Sequence, residues 1–440
     1  MSQTFKVIVK IHNEDGSVAN RTEVASHKLT APEHIKNLGL THTEQIDLLQ
    51  NVIDSLLPNQ VMLIEEPEIC PKCGKRTRKN GIFSSHFHSV YTDHKIDLRR
   101  RTCSCGWKNK YNVEGKFGSP SHPDLLKMQC EFGAEHSFKK AEEILASKNG
   151  RNRPVNNHMH IMRLVDKVGT TLSDLKCNAP AEPKQPADIL VAQIDGGHIR
   201  PKEQNICSYE VLAAKFYQLD TQAKKNNHHT LLKKSTCVAS GLSDRAATIK
   251  KQVIYGAKSE GMTNKSIVYA LSDGAKNCWS ALKILVKRCK EMIPILDWEH
   301  IGRKFKNVEQ MLAVDYHKRL ESAKWRLWHG QSEVCLKKLN VIKDDLGNCN
   351  NKKLEKLIKY LQNNTPYLIN YEEQRNKGLP YTSNVIESAI DTLINERQKR
   401  NKKMSWTRKG AHNILQIRAS IASKTWRKDW DNAFEVMITA

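Results

Sequence analysis

The chain of 440 residues contains no uninterrupted apolar run approaching the length of a membrane span, for which about 18 residues are needed. Its first residues, MSQTFKVIVKIHNEDG, lack the basic-then-apolar layout of a secretory signal. The reading is therefore of a chain that stays in a reducing, cytoplasmic compartment, with no membrane partner. Acid is also in short supply. Asp and Glu number 47 against 71 Lys and Arg, which leaves a formal net charge of +24. So large an excess of cation points to a polyanionic partner, nucleic acid first, because each neutralised phosphate releases counterion. A generally basic, solvated surface is the plainer alternative.

Cysteine is not scarce: there are 12. In a reducing compartment they argue for metal binding or simple burial rather than a disulfide framework. Four have ligand spacing. Cys70-Pro-Lys-Cys73-Gly74 is followed, after 29 residues, by Cys103-Ser-Cys105-Gly106. Two tight pairs, each followed by Gly, suit tetrahedral thiolate coordination of a structural Zn²⁺, since four thiolates leave no open position for substrate. A zinc ribbon is expected over 67–118, with His86, His88 and His94 as substitute ligands.

The length allows two to four domains. An N-terminal α/β segment, 1–66, opens on the alternating apolar positions Phe5, Val7, Val9 and Ile11, a strand. A turn follows at Asp15-Gly16, then a helix from Glu44 to Leu57. Beyond the ribbon, 119–178 reads as helical. Two helices are joined around Asn149-Gly150, with Arg151 and Arg153 at the joint, an arrangement like a helix-turn-helix that places its second helix in a DNA groove. A purely structural helical hairpin competes with that reading. Three prolines within 179–187 make a semi-rigid linker and the expected main boundary.

After the linker the periodicity predicts strand 189–195, strand 209–217, a basic turn over 224–229 and strand 236–242. A helix near 244–257, strand 266–273, a helix near 277–290 and strand 292–297 follow. Three hairpin-connected strands and then alternating helix and strand match a ribonuclease-H-like α/β core over 188–297. Residues 298–380 read as an all-α insertion, basic, with Lys337 and Lys338. Residues 381–440 would complete the core. Asp195 closes the first strand, Asp273 closes the fourth, and Glu387 lies in the first turn of a helix beginning near Asn384. Acids at two strand ends and on one helix can hold a pair of divalent ions, about 3.5–4 Å apart, for phosphodiester chemistry.

Five segments in order, Ile194-Asp195-Gly-Gly-His198, Leu271-Ser-Asp273-Gly-Ala275, Leu296-Asp-Trp-Glu-His300, Asn384-Val-Ile-Glu387-Ser388 and Trp406-Thr-Arg-Lys-Gly-Ala-His412, resemble DDE transposases of bacterial insertion sequences. The likeness is to the ISKra-type group and covers roughly 67–425. It implies a ribonuclease-H-like fold with an inserted helical domain. It also implies Mg²⁺-dependent strand cleavage at terminal inverted repeats, strand transfer into target DNA, two Mg²⁺ per active site and a homo-oligomer. Asp195, Asp273 and Glu387 would be the metal-binding triad, with Asp297 and His300 as a D-x-x-H pair beside it. Gly197 stands where many relatives carry Thr or a similar residue.

Each residue also has a structural alternative. Asp195 and Asp273 could be ordinary strand-end caps, and His300 a satisfied core histidine. Glu387 has capping-box spacing from Asn384; Asp391 and Glu396, or more remotely Glu372 and Glu373, are the replacements as third ligand. Trp325 and Trp328 share a helix face, to pack a local core or to stack on an unpaired base. The run Arg397, Lys399, Arg400, Lys402, Lys403, Arg408 and Lys409 reads as a phosphate-backbone surface, or else a solvated helix end. Two rival functions stand beside transposition: a transposase-derived DNA-binding protein without catalysis, and a ribonuclease-H-like nuclease without strand transfer.

Overall fold

The computed structural model describes residues 3–178, 185–203, 205, 207–224, 230–347, 352–399 and 404–439. Most of the Pro-rich linker, most of the basic turn over 224–229, and Arg400, Lys402 and Lys403 lie outside the described residues. The chain divides into two units: residues 1–165 with 430–440, and residues 166–429. The division falls inside the long helix His158–Asn178, upstream of the expected boundary at 179–187.

In the first unit, the alternation from Phe5 forms strand Gln3–His12, paired antiparallel with Val18–Leu29. Gly16 takes the positive φ of +82° that this turn requires. Helix His42–Met62 starts at a full capping box, Thr41 with Glu44. A second hairpin, Arg78–His88 with Asp93–Thr102, packs Ile96 and Leu98 into a small core. Helices Pro123–Glu135 and Phe138–Lys148 follow. The connection from there to helix His158–Asn178 runs through residues 149–157, longer than the 3–4-residue turn of a helix-turn-helix.

Arg153, expected at a DNA surface, is instead a fixed part of this connection. It is only 4% exposed. Its guanidinium donates to the Asp93 carboxylate and to the carbonyls of Ser89, Val90 and Thr92. A cation so placed is taken up within the fold. Arg151 is exposed and donates to Gln50 Oε1 at 2.8 Å.

The second unit is built on a five-stranded mixed sheet. Its order is Glu291–Leu296, Ile267–Ser272, Ile189–Ile199, Tyr209–Gln218, Thr236–Ser240. Tyr209–Gln218 is antiparallel to both neighbours, and Ile267–Ser272 is parallel to both of its own. One face carries Leu190, Ala192, Ile194 and Val268 against helices Ala247–Ser259 and Lys276–Leu282. The other carries Val191, Leu271 and Ile295 against the helices that follow the last strand. Both faces are covered, so the parallel strands are apolar throughout rather than alternating.

Residues 298–380 are helical as expected, but they have no separate core. Leu320, Leu327, Leu339, Leu357 and Tyr371 share one apolar cluster with the sheet. Trp328 belongs to it, 6% exposed and packed on Trp298 and Tyr371. Trp325 meets Trp328 edge-on and stays half exposed. Among the described residues, no helix is long and apolar enough to cross a membrane.

Replacing Arg153 by Ala leaves the Ser89 and Val90 carbonyls without their donor and removes one of the two side-chain partners of the Asp93 carboxylate. Asp93 retains some water access, so the expected loss is about 2–3 kcal/mol, below that of a fully buried pair. Chemical denaturation followed by tryptophan fluorescence would measure it. A loss of nucleic-acid affinity with unchanged stability would contradict this assignment.

Candidate metal centres

The sheet register lines up acids along one edge. Leu271 pairs with Gln193, which sets Asp273 beside Asp195 two residues on. Ser272 pairs with Leu296, which sets Asp297 beside Asp273. The strand carrying Asp195 runs on to Ile199, past its expected end at 195, but its parallel ladder stops at Gln193, so three carboxylates from distant positions stand in a row. Ligand atoms of Asp195, Asp273 and His300 lie within 4.8 Å of one another. Those of Asp297, His300 and Glu387 do the same. His300 belongs to both groups. Glu387 therefore reaches the aspartate pair through the imidazole and does not form one tight trio with Asp195 and Asp273.

Asp297, expected as part of a D-x-x-H pair beside the triad, has its carboxylate oxygens taken up by hydrogen bonds. It is 0% exposed. It caps the helix Trp298–Glu309 by accepting from the N–H groups of Glu299 and His300. It also accepts from the Ser383 N–H, from Ser383 Oγ at 2.7 Å and from His300 Nδ1 at 2.6 Å. Burial works to raise its pKa, but the bonds from His300 and Ser383 prevail and hold it below the ordinary carboxylate range. Asp297 thus positions two neighbours. With Nδ1 committed to Asp297, His300 keeps Nε2 for a ligand, the arrangement that second-shell carboxylates impose on metal-binding histidines.

Asp195 is different. Burial pushes its carboxyl above the usual range, and the Asp273 charge pushes the same way, against the bond from the Gly196 N–H. Two half-buried carboxylates facing each other beside an imidazole nitrogen form a donor set suited to a hard divalent cation.

Glu387 sits on the helix Asn384–Ile390. The capping box suggested by Asn384 does not form. The N-cap is Ser383, with no side-chain cap bond, and Glu387 ion-pairs with Arg303. Gln193 fills the cap role from another element. It interrupts an apolar strand and is 1% exposed. Its Oε1 accepts from the Ile386 N–H at 3.0 Å, while Nε2 donates to the Thr382 carbonyl at 3.2 Å. The strand that carries Asp195 thereby fixes the start of the Glu387 helix. Sequence reasoning passed over Gln193; the available signal was one amide inside a run of buried aliphatics.

Several glycines give way to neighbours here. A Cβ on Gly274, at φ +96°, would meet the Asn364 amide at 2.9 Å, so only Gly lets that helix end approach Asp273. Tyr360 Oη then donates to the Asp273 carbonyl at 2.7 Å. A Cβ on Gly197 would meet Ile394 at 2.9 Å, so a side chain at this position would have to displace Ile394. Ile394 belongs to the π-helix Asp391–Lys399. Gly196 leaves space for Glu210, a further acid that the sequence reading did not single out, which accepts from Asn277. Asp391 and Glu396, the alternative third ligands, are in neither metal-competent group, and nor are Glu372 and Glu373.

The basic C-terminal run is split by the fold. Arg397 is 0% exposed and stacks over Trp406 at 4.8 Å, so it is no surface cation. Arg408 lies over the Tyr209 ring at 4.3 Å. Lys399 and Lys409 are exposed.

In the first unit, Cys70, Cys73, Cys103 and Cys105 gather into a second metal-competent group. Sγ atoms of Cys70 and Cys105 are 3.6 Å apart, and those of Cys73 and Cys103 3.5 Å. A tetrahedron with Zn–S bonds of 2.3 Å has S···S edges of about 3.8 Å. Gly74 and Gly106, at φ +70° and +86°, turn each knuckle alike despite their unequal spacing. The histidines do not join. His94 is 2% exposed and bonded to Asp54, Thr92 and Ser89. His88 is held by Asp93, and His86 is exposed.

Changing Cys103 to Ser should reduce bound zinc from one ion per chain to none, read by elemental analysis of the purified protein. Gln193→Leu should lower the unfolding free energy by about 1–2 kcal/mol, because the Thr382 carbonyl loses the Gln193 donor and the Ile386 N–H keeps only its bond to the Ser383 carbonyl; urea denaturation tests this, and a neutral result would remove Gln193 from its bridging role. Compared with protein-family descriptions and with curated proteins, the sequence matches none.

Proposed function

We propose that this protein is a DDE-type DNA transposase that cuts and joins insertion-sequence ends by two-metal phosphoryl transfer. The observation that carries the proposal is the convergence of Asp195, Asp273, His300 and Glu387, from four separate elements, on one end of the sheet. The strand order and the single antiparallel second strand favour a ribonuclease-H-like core. The cysteine cluster fits a zinc ribbon, and the adjoining helices with exposed Arg151 supply a surface for reading terminal DNA.

Bound Mg²⁺ would lower the pKa of an attacking water or 3′-hydroxyl and stabilise the departing oxygen. Asp195, Asp273 and His300 Nε2 would hold one ion, and the Glu387 carboxylate would serve the other. Asp297 keeps the His300 ring in the tautomer that leaves Nε2 unprotonated. Gln193 and Ser383 hold the Glu387 helix at its place beside the ring. Arg303 ties back the Glu387 carboxylate. Exposed Lys399 and Lys409 lie on the polypeptide next to this machinery and suit backbone contacts.

The test uses duplex oligonucleotides carrying the repeats that flank the coding DNA, with Mg²⁺. Asp195→Ala and Asp273→Asn should each cut the cleavage rate by about 10³-fold or more, since several kcal/mol of transition-state charge stabilisation go with the metal. Retained cleavage would sink the proposal. DNA binding without any cleavage would favour the non-catalytic reading, and hydrolysis without joining of 3′-hydroxyl ends the nuclease.

A further inference from the structure

Next to Asp273 lies a trench whose charged lining residues are all cations. Helix Lys276–Leu282 and the turn Lys283–Arg288 follow the acid directly. Lys276 and Lys283 form one wall. Lys356 and Lys359, three apart on helix Lys352–Asn363, form the other. The recess between them measures about 730 Å³ and begins at Gly274, the residue after Asp273. Its floor is the Trp279–Tyr367 pair, stacked with centroids 4.2 Å apart. A second recess of about 630 Å³ shares Trp279, Lys283 and Tyr367 and continues the trench past Lys287 and Arg288.

No carboxylate lines either recess. The lysines of the first are exposed, and among the described residues none of them makes an ion pair. A solvated basic face would normally interleave its charges. The same helical region does so elsewhere: Lys343 pairs with Glu355, and Arg319 with Asp345. Lysines concentrated in a concavity repel one another unless a polyanion lies between them.

We propose that this trench holds the phosphate backbone of the nucleic-acid strand that leaves the metal pocket past Asp273. The inference rests on the functional reading above and deepens it, by assigning the path of the substrate strand. Lysine offers point charges without a planar fork, and Trp279 is only 4% exposed. The trench therefore reads phosphates and not bases. Tyr360, which lines the trench and bonds the Asp273 carbonyl, ties its position to that of the acid.

The experiment is fluorescence anisotropy of labelled DNA and RNA oligonucleotides with the full chain, across a salt series. The triple change Lys283→Ala, Lys356→Ala, Lys359→Ala should weaken binding equally for unrelated sequences. It should reduce the slope of log affinity against log salt by about 2 to 3, close to one per lost phosphate contact. The triple Arg version should restore the slope, and Lys337→Ala with Lys338→Ala should leave it unchanged. The three trench lysines and Lys337 are exposed and Lys338 is half-buried, and an unaltered melting temperature would verify folding. Parent-like slopes in the triple Ala variant overturn the trench while leaving transposition standing. Trench-dependent binding of RNA, with none of DNA, overturns transposition while leaving the trench. A parent chain that binds neither overturns both.

Discussion

A buried carboxylate at the end of the last strand organises the candidate active site. Asp297 accepts from two backbone groups of the helix that follows it, from the His300 ring, and from both donors of Ser383. An ionised acid with no exposure is tolerable only when its lone pairs are filled. Here the filling partners are the parts that must be aligned: the imidazole shared by both metal-competent groups, and the residue that starts the Glu387 helix. Gln193 makes the complementary tie from the central strand. Geometry around the acids is thus enforced from the interior, while the ligand atoms face outward.

The helices after the last strand reinforce this arrangement. Tyr360 and Tyr371 donate to the carbonyls of Asp273 and Leu296, each next to or part of an acid-bearing strand end. Because these helices share their apolar cluster with the sheet, they act as a second wall of the core. Periodicity indicated that the segment was helical but not what its faces would cover, since an amphipathic stripe looks the same against its own kind or against a sheet.

Acids that follow buried apolar runs were the most legible part of the site. Asp273 directly follows its strand, whereas Asp195 closes an apolar run inside a strand that continues to Ile199. Paired cysteines followed by glycine were legible too, because their spacing alone sets the knuckle. What sequence could not convey was which polar groups are consumed internally. Arg153 and Arg397 look like surface cations by composition, yet one is spent on loop carbonyls and the other lies buried over Trp406. Asp297 reads as an open strand-end acid until its hydrogen bonds are seen. Gln193 and Ser383 were invisible because their partners lie roughly a hundred or more residues away.

That separation has a consequence for biosynthesis. Gln193 and Ile386 are 193 positions apart, and contacts of such span form only once most of the polypeptide exists. A ribosome that has released the two aspartates has not yet made the glutamate helix or its anchor. A prematurely terminated copy therefore lacks the Glu387 helix and never completes the pocket.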